Sequence, residues 1–181
     1  MPARARVRRT VPSDADRLGE IHVRAWQAAY RGVMPDRYLD SLQAAERASM
    51  WRRNIERPGC GQLTLVIEDA GQVVGFASLG PEEGRPEELA TGELYAINLD
   101  PDAWRRGFGA RLLRAAVALL RELGYAEAVL WVVPENARAR GLYESRGWIA
   151  DGAVREDEVL GVTVSDMRYR LPLTPPATAS R

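Results

Sequence analysis

The stretch "INLDPDAWRRGFGARLLRAAVALL", residues 97–120, begins with the alternation of a strand and ends with the spacing of a helix. Between the two lies a turn carrying Gly107 and Gly109 with Arg105, Arg106 and Arg111 around them. A helix start leaves backbone N–H groups without partners and carries partial positive charge. Glycines let a phosphate approach such groups with no Cβ in the way, and nearby arginines add charge. The same residues also suit a plain strand-to-helix turn, with glycine supplying a positive φ and the arginines solvated. At this point both readings stand. The turn is not a P-loop, because the Lys-Ser/Thr pair is missing, and it lacks the G-x-G-x-x-G spacing of a dinucleotide fingerprint.

The handover from strand to helix sets the fold class once the flanking segments are added. "ARVRRTV" alternates as a first strand, with Val7 and Val11 on one face. "VPSDADRLGEIHVRAWQAAY" reads as a helix with Ser13 as its N-cap and Leu18, Ile21, Ala25 and Ala28 at helical spacing. "PDRYLDSLQAAERASMWRRNIER" reads as a second helix, ending before Pro58 and Gly59. "QLTLVIEDAGQVVGFASLG" holds two strands around Asp69-Ala70-Gly71, a hairpin signal. The acidic "GPEEGRPEELATG" is a loop and "ELYAINLD" a strand; the helix after the turn runs from about 108 to 123 and stops at Gly124. "AEAVLWVV" is a strand, "PENARARGLYESRG" a short helix, and "WIADGAVREDEVLGVTVSDMRYRL" a closing pair of strands. The order is that of one mixed α/β sheet domain over residues 1–171, with 172–181 as a disordered tail rich in proline and small residues.

Composition narrows the function. The 25 basic residues, all arginine, equal the 25 acidic ones, so no global charge points to nucleic acid or a membrane surface. No run of about 18 apolar residues is present to cross a bilayer. The basic start leads into no apolar stretch, which argues against a secretory signal, and the expected location is cytoplasmic. Cys60 is alone and His22 is the one histidine, so no metal site is expected from cysteine clusters or histidine pairs.

Three blocks together resemble one family. "ELYAINLDPDAWRRGFGARLLRAA" resembles motif A of the GNAT superfamily of N-acetyltransferases. "PENARARGLYESRGW" resembles the motif that follows it, and "VRRTVPSDADRLGEIHVRAWQAAYRGVMPDRYL" the opening strand and helices of bacterial members. The similarity runs from about residue 5 to 171. One departure stands out. The family turn is Gln/Arg-x-x-Gly-x-Gly/Ala, and aligning Gly107 and Gly109 puts Trp104 on its first position, with Arg105 or Arg106 as candidate substitutes.

The resemblance implies the GNAT fold, a mixed, mostly antiparallel sheet of six to seven strands with helices on both faces. It implies acetyl-CoA as co-substrate, its pyrophosphate on the N–H groups of Arg105, Arg106, Gly107, Phe108, Gly109 and Ala110. The pantetheine arm would pair like an added strand with Ile97, Asn98 and Leu99, across a gap between the "ELYAINL" and "EAVLWVV" strands. Asn136 would contact that arm or simply cap its helix. Glu93 is implied as general base and Tyr143 as the group facing the sulfur, with an N–H near Ile97 or Leu99 meeting the oxyanion. Trp26, Tyr30 and Tyr38 would shape the pocket of a small-molecule or peptide amine, or else belong to the core. Glu82, Glu83, Glu87 and Glu88 would attract a cationic amine or form a solvated loop. His22 reads as structural. The resemblance makes a homodimer common, and the rival reading is a non-catalytic acyl-CoA-binding module.

Overall fold

Residues 5–59, 61–82 and 91–173 are described by the computed structural model. In chain order the strands are β1 (Arg6–Arg9), β2 (Leu63–Asp69), β3 (Gln72–Pro81), β4 (Thr91–Leu99), β5 (Glu127–Val132), β6 (Ile149–Val159) and β7 (Val162–Pro172). The helices are α1 (Ala15–Tyr30), α2 (Asp36–Ser41), α3 (Ala44–Glu56), α4 (Phe108–Glu122) and α5 (Ala137–Glu144). The strands form one seven-stranded sheet in the order β1-β2-β3-β4-β5-β7-β6. All neighbours are antiparallel except β4 and β5. This is the mixed, mostly antiparallel sheet expected.

Strand alternation divides the core between the two faces. On β2, Leu65 and Ile67 point to one side, where Leu112, Leu113, Leu120 and Tyr143 bring α4 and α5 onto the sheet. Val66 points to the other and packs with Leu18, Ile21, Trp51 and Phe76 under α1 and α3. The turns follow their residues. Ala70 and Gly71 join β2 to β3 with φ of 49° and 82°, and Leu160 and Gly161 join β6 to β7 with 50° and 80°, the left-handed pair that two-residue hairpins require.

Some local expectations change. The segment 35–57 is two helices, because Leu42 and Gln43 adopt extended backbone between α2 and α3. The break swings α3 across α1 so closely that a Cβ on Gly19 would lie 2.4 Å from the Ala44 carbonyl oxygen. Helix α1 is preceded by a 3-10 turn, Pro12–Asp14, and Asp14 rather than Ser13 is its N-cap. The Asp14 carboxylate accepts from the Val11 N–H at 2.8 Å and pairs with Arg8 at 2.7 Å. Val11 lies outside β1 and is exposed, as is Ala28 on α1. At the other end β7 reaches Pro172 and Leu173 is buried, its N–H bonded to the Ala126 carbonyl; the rest of the expected tail lies outside the described residues. No helix among the described residues is long and apolar enough to cross a membrane.

One irregularity matters for function. The parallel pairing of β4 with β5 covers only Thr91–Leu94 against Glu127–Leu130. On the opposite edge of β4 the register with β3 slips after Ser78, leaving Tyr95 as an extra residue. Bulges bend a strand, and past this one β4 and β5 diverge.

Candidate active site

The divergence opens a cleft of about 360 Å³ between β4 and β5, bounded by α1, the first turn of α4 and α5. Asp100 donates its N–H to the Val74 carbonyl at 2.9 Å. By the alternation of an antiparallel ladder, Asn98 then turns its backbone groups toward β3, and Ile97 and Leu99 turn theirs into the cleft. Of the three residues expected to pair with a ligand arm, two therefore offer backbone. The Leu99 carbonyl is already taken by the Trp104 indole N–H at 3.0 Å, which leaves the Leu99 N–H and both groups of Ile97 on the open edge.

The glycine turn is built from its neighbours. A short 3-10 segment, Pro101–Ala103, is capped by Asp100, whose Oδ1 accepts from the Asp102 N–H at 3.1 Å. The buried Asp100 also takes Arg17 at 2.7 Å and Arg24 at 3.0 Å on Oδ2, which ties the turn to α1. Arg105 and Gly107 are left-handed, with φ of 61° and 81°, and Gly107 is the N-cap of α4. Gly109 faces the cleft, and a Cβ there would come within 3.1 Å of Leu99 and 3.4 Å of Leu142. At 105–110 the backbone turns left-handed into a helix start beside the cleft, and not all of the side chains there face the cleft. Phe108 is buried in the core. Arg106 pairs with Asp69 at 2.6 Å and lies over the Phe108 ring, which turns its side chain toward the β2–β3 hairpin.

Helix α5 forms the facing wall. Asn136 is its N-cap, accepting from the Ala139 N–H at 3.2 Å, and its side chain also reaches Tyr30. Tyr143 is buried against Trp148 and Tyr169 and borders the cleft; burial, then the nearby Tyr30, push its phenol well above the usual range. Trp26 and Tyr30 line the cleft, their ring centroids 5.3 Å apart. Tyr38 does not; it packs with Leu39 and Leu42 below α2. Glu93 is buried on the seam, opposite Gly80 and Val129, and its side chain is not part of the cleft wall. Gly92 faces α4, where a Cβ would meet Leu120, so Glu93 points to the other face, the one that Val129 and Trp131 share. Glu82 is buried beside Arg168, and Glu83, Glu87 and Glu88 lie outside the described residues.

His22 is structural: its Nδ1 accepts from the Trp51 indole at 3.2 Å, and its buried Nε2 has no partner among the described residues. Sequence reading passed over Arg138. Its guanidinium carbon sits 3.1 Å from the centre of the Trp104 ring, joining α5 to the turn before α4.

A split between a parallel pair, an open strand edge and a left-handed turn at a helix start coincide at one cleft. A family model described as Acetyltransferase (GNAT) family matches residues 18–148. The chain belongs to the GNAT acetyltransferase family. It is 27% identical over 173 residues to a protein named "Probable N-acetyltransferase" from Mycobacterium tuberculosis, covering 94% of this chain and 95% of the relative. It is 32% identical over 131 residues, 72% of each chain, to an uncharacterized N-acetyltransferase of Bacillus subtilis. Among solved structures, a putative acetyltransferase of Salmonella typhimurium with its cofactor acetyl-CoA aligns with a TM-score of 0.73 at 22% identity, over 98% of this chain and 99% of that one. This last likeness concerns the fold. In the GNAT chain itself, β4 at Ile97 and Leu99 has no strand partner on the cleft side among the described residues, and this edge lies beside a turn of left-handed backbone. That set of donors and acceptors suits an amide-bearing arm ending in a diphosphate.

Proposed function

We propose that this GNAT protein transfers an acetyl group from acetyl-CoA to a primary amine, on a small molecule or a peptide, by direct attack in a ternary complex. The observation that carries the reading is the free edge of β4 at Ile97 and Leu99, running along the cleft to the Gly107 turn. When bound, acetyl-CoA supplies a thioester carbonyl and a thiolate leaving group. The Ile97 and Leu99 edge orients the arm, and a backbone N–H there meets the oxygen that gains charge on attack. The N–H groups at the start of α4 face the diphosphate.

Glu93 accepts, through water, the proton that the substrate ammonium gives up to become the neutral amine that attacks, since its carboxyl is set behind the cleft wall. Tyr143 enters the step as a neutral phenol, because burial holds it in the protonated form, and it donates to the departing sulfur. Trp26 and Tyr30 border the side on which the amine arrives. The test is incubation with acetyl-CoA and a panel of amines, read by mass spectrometry and by thiol release. Acetylated product supports transfer. Tight acetyl-CoA binding with no product from any amine favours the non-catalytic binding module, against which Glu93 and Tyr143 both argue.

A further inference from the structure

The GNAT turn in this chain has Trp104 where the family motif carries Gln or Arg, and the structure gives that tryptophan two contacts. Its indole N–H closes the Leu99 carbonyl at 3.0 Å, and its face is covered by the Arg138 guanidinium, whose central carbon is 3.1 Å from the ring centre. The two residues come from opposite walls, Trp104 from the turn before α4 and Arg138 from the first turn of α5. Both border the cleft. Their stack therefore joins the two walls of the cleft.

Arg138 is oriented as a cation held ready for an anion. Among the described residues no carboxylate forms an ion pair with it, although most arginines of the sheet and of α1 are paired with acids. What surrounds it is the Trp104 ring, the neighbouring cation Arg105 and the Tyr30 phenol. Burial first, and then Arg105, push the guanidinium below its ordinary value. Both arginines line the cleft, and two like charges this close repel, so an anion seated between them relieves the repulsion. Arg106, by contrast, is paired with Asp69.

We propose that Arg138, held flat on Trp104, is the side-chain recognition element for the diphosphate of the donor, in the place of the side chain that the turn itself lacks. The inference rests on the acetyl-CoA reading above and names the residue that reads the charged end of that molecule. The planar guanidinium offers two parallel N–H donors to phosphate oxygens while its face stays on the indole. Trp104 fixes the plane of Arg138 and is itself fixed by Leu99, so the recognition element is anchored to the edge along which the arm lies.

Calorimetry with CoA, dephospho-CoA (which keeps the diphosphate) and pantetheine (which has no phosphate) separates the possibilities. Arg138→Ala should weaken CoA and dephospho-CoA by about 10- to 100-fold, the loss expected for a charge-assisted hydrogen bond, and leave pantetheine unchanged. Arg138→Lys, which keeps charge but not the fork, should fall between. Trp104→Phe, which keeps a ring under Arg138 but loses the bond to Leu99, should fall between the wild type and Trp104→Ala, and both should lose affinity for the two diphosphate ligands only. Equal loss for all three ligands in Arg138→Ala would show a packing role and overturn the proposal, as would wild-type affinity for CoA, or a loss confined to CoA that spares dephospho-CoA. A wild-type protein that binds no CoA refutes instead the donor reading on which the inference rests.

Discussion

Tyr143 and Glu93 stand differently to the cleft, and their substitution should read differently. Tyr143 borders it, so Tyr143→Phe removes a proton donor without opening a void. Turnover should drop by about 10- to 100-fold, with CoA affinity within a factor of two of the wild type. Glu93 lies behind the wall, and the base role proposed for it predicts that Glu93→Gln lowers turnover by about 100-fold and flattens the acidic limb of the pH–rate profile. Profiles unchanged in both variants remove the two residues from proton transfer. His22 gives a stability prediction. Burial, and next the Arg47 charge, hold its pKa down to about 4 from 6.5. Since Nδ1 accepts from Trp51, the neutral ring keeps its proton on the buried Nε2. The unfolded chain thus binds a proton that the folded one refuses. The stabilisation is complete above about 6.5 and is lost as pH falls to about 4, by on the order of 3 kcal/mol. Urea unfolding of wild type and His22→Gln between pH 7 and 4 checks it: their stabilities should converge toward acid, and parallel curves contradict the assignment.

The turn between β4 and α4 invites a pair of substitutions with separable effects. Gly107 has open space around its missing Cβ but a φ of 81°, so Gly107→Ala should cost about 1 kcal/mol of stability through strain alone. Gly109 has an ordinary backbone and tight neighbours in Leu99 and Leu142, so Gly109→Val narrows the cleft. CoA affinity should fall by more than about 10-fold in Gly109→Val, and calorimetry giving wild-type affinity would sink the assignment of this turn to the donor. The elements around the turn were legible because each carries its own period and punctuation, as with Ala70-Gly71 or Gly124. The break at Leu42 was not, because it is imposed from outside by the close crossing of α3 over Gly19. The same reason hid Arg138 and the directions that Arg106 and Tyr38 take. Which way a long side chain turns depends on partners far away in sequence, Trp104 for one, Asp69 for another and the α2 cluster for the third.

For the whole molecule, a ligand that binds only the folded state raises its stability by mass action. At a CoA concentration 100 times the dissociation constant the gain is about 2.7 kcal/mol, or roughly 5–10 °C in the melting temperature of a domain of this size. A thermal melt with and without CoA measures it, and no shift at saturating CoA contradicts a preformed donor site. The fold itself explains why so much rests on one molecule. Strands β1 to β4 form one leaf and β5, β7 and β6 another, and backbone pairing ties them only over Thr91–Leu94 and Glu127–Leu130. The sheet is thus like an open book bound along a short spine, with its pages parted from Tyr95 onward. A donor arm laid along Ile97 and Leu99 would lengthen that binding from within, so the co-substrate would also serve the enzyme as a splint until its acetyl group is gone and it leaves.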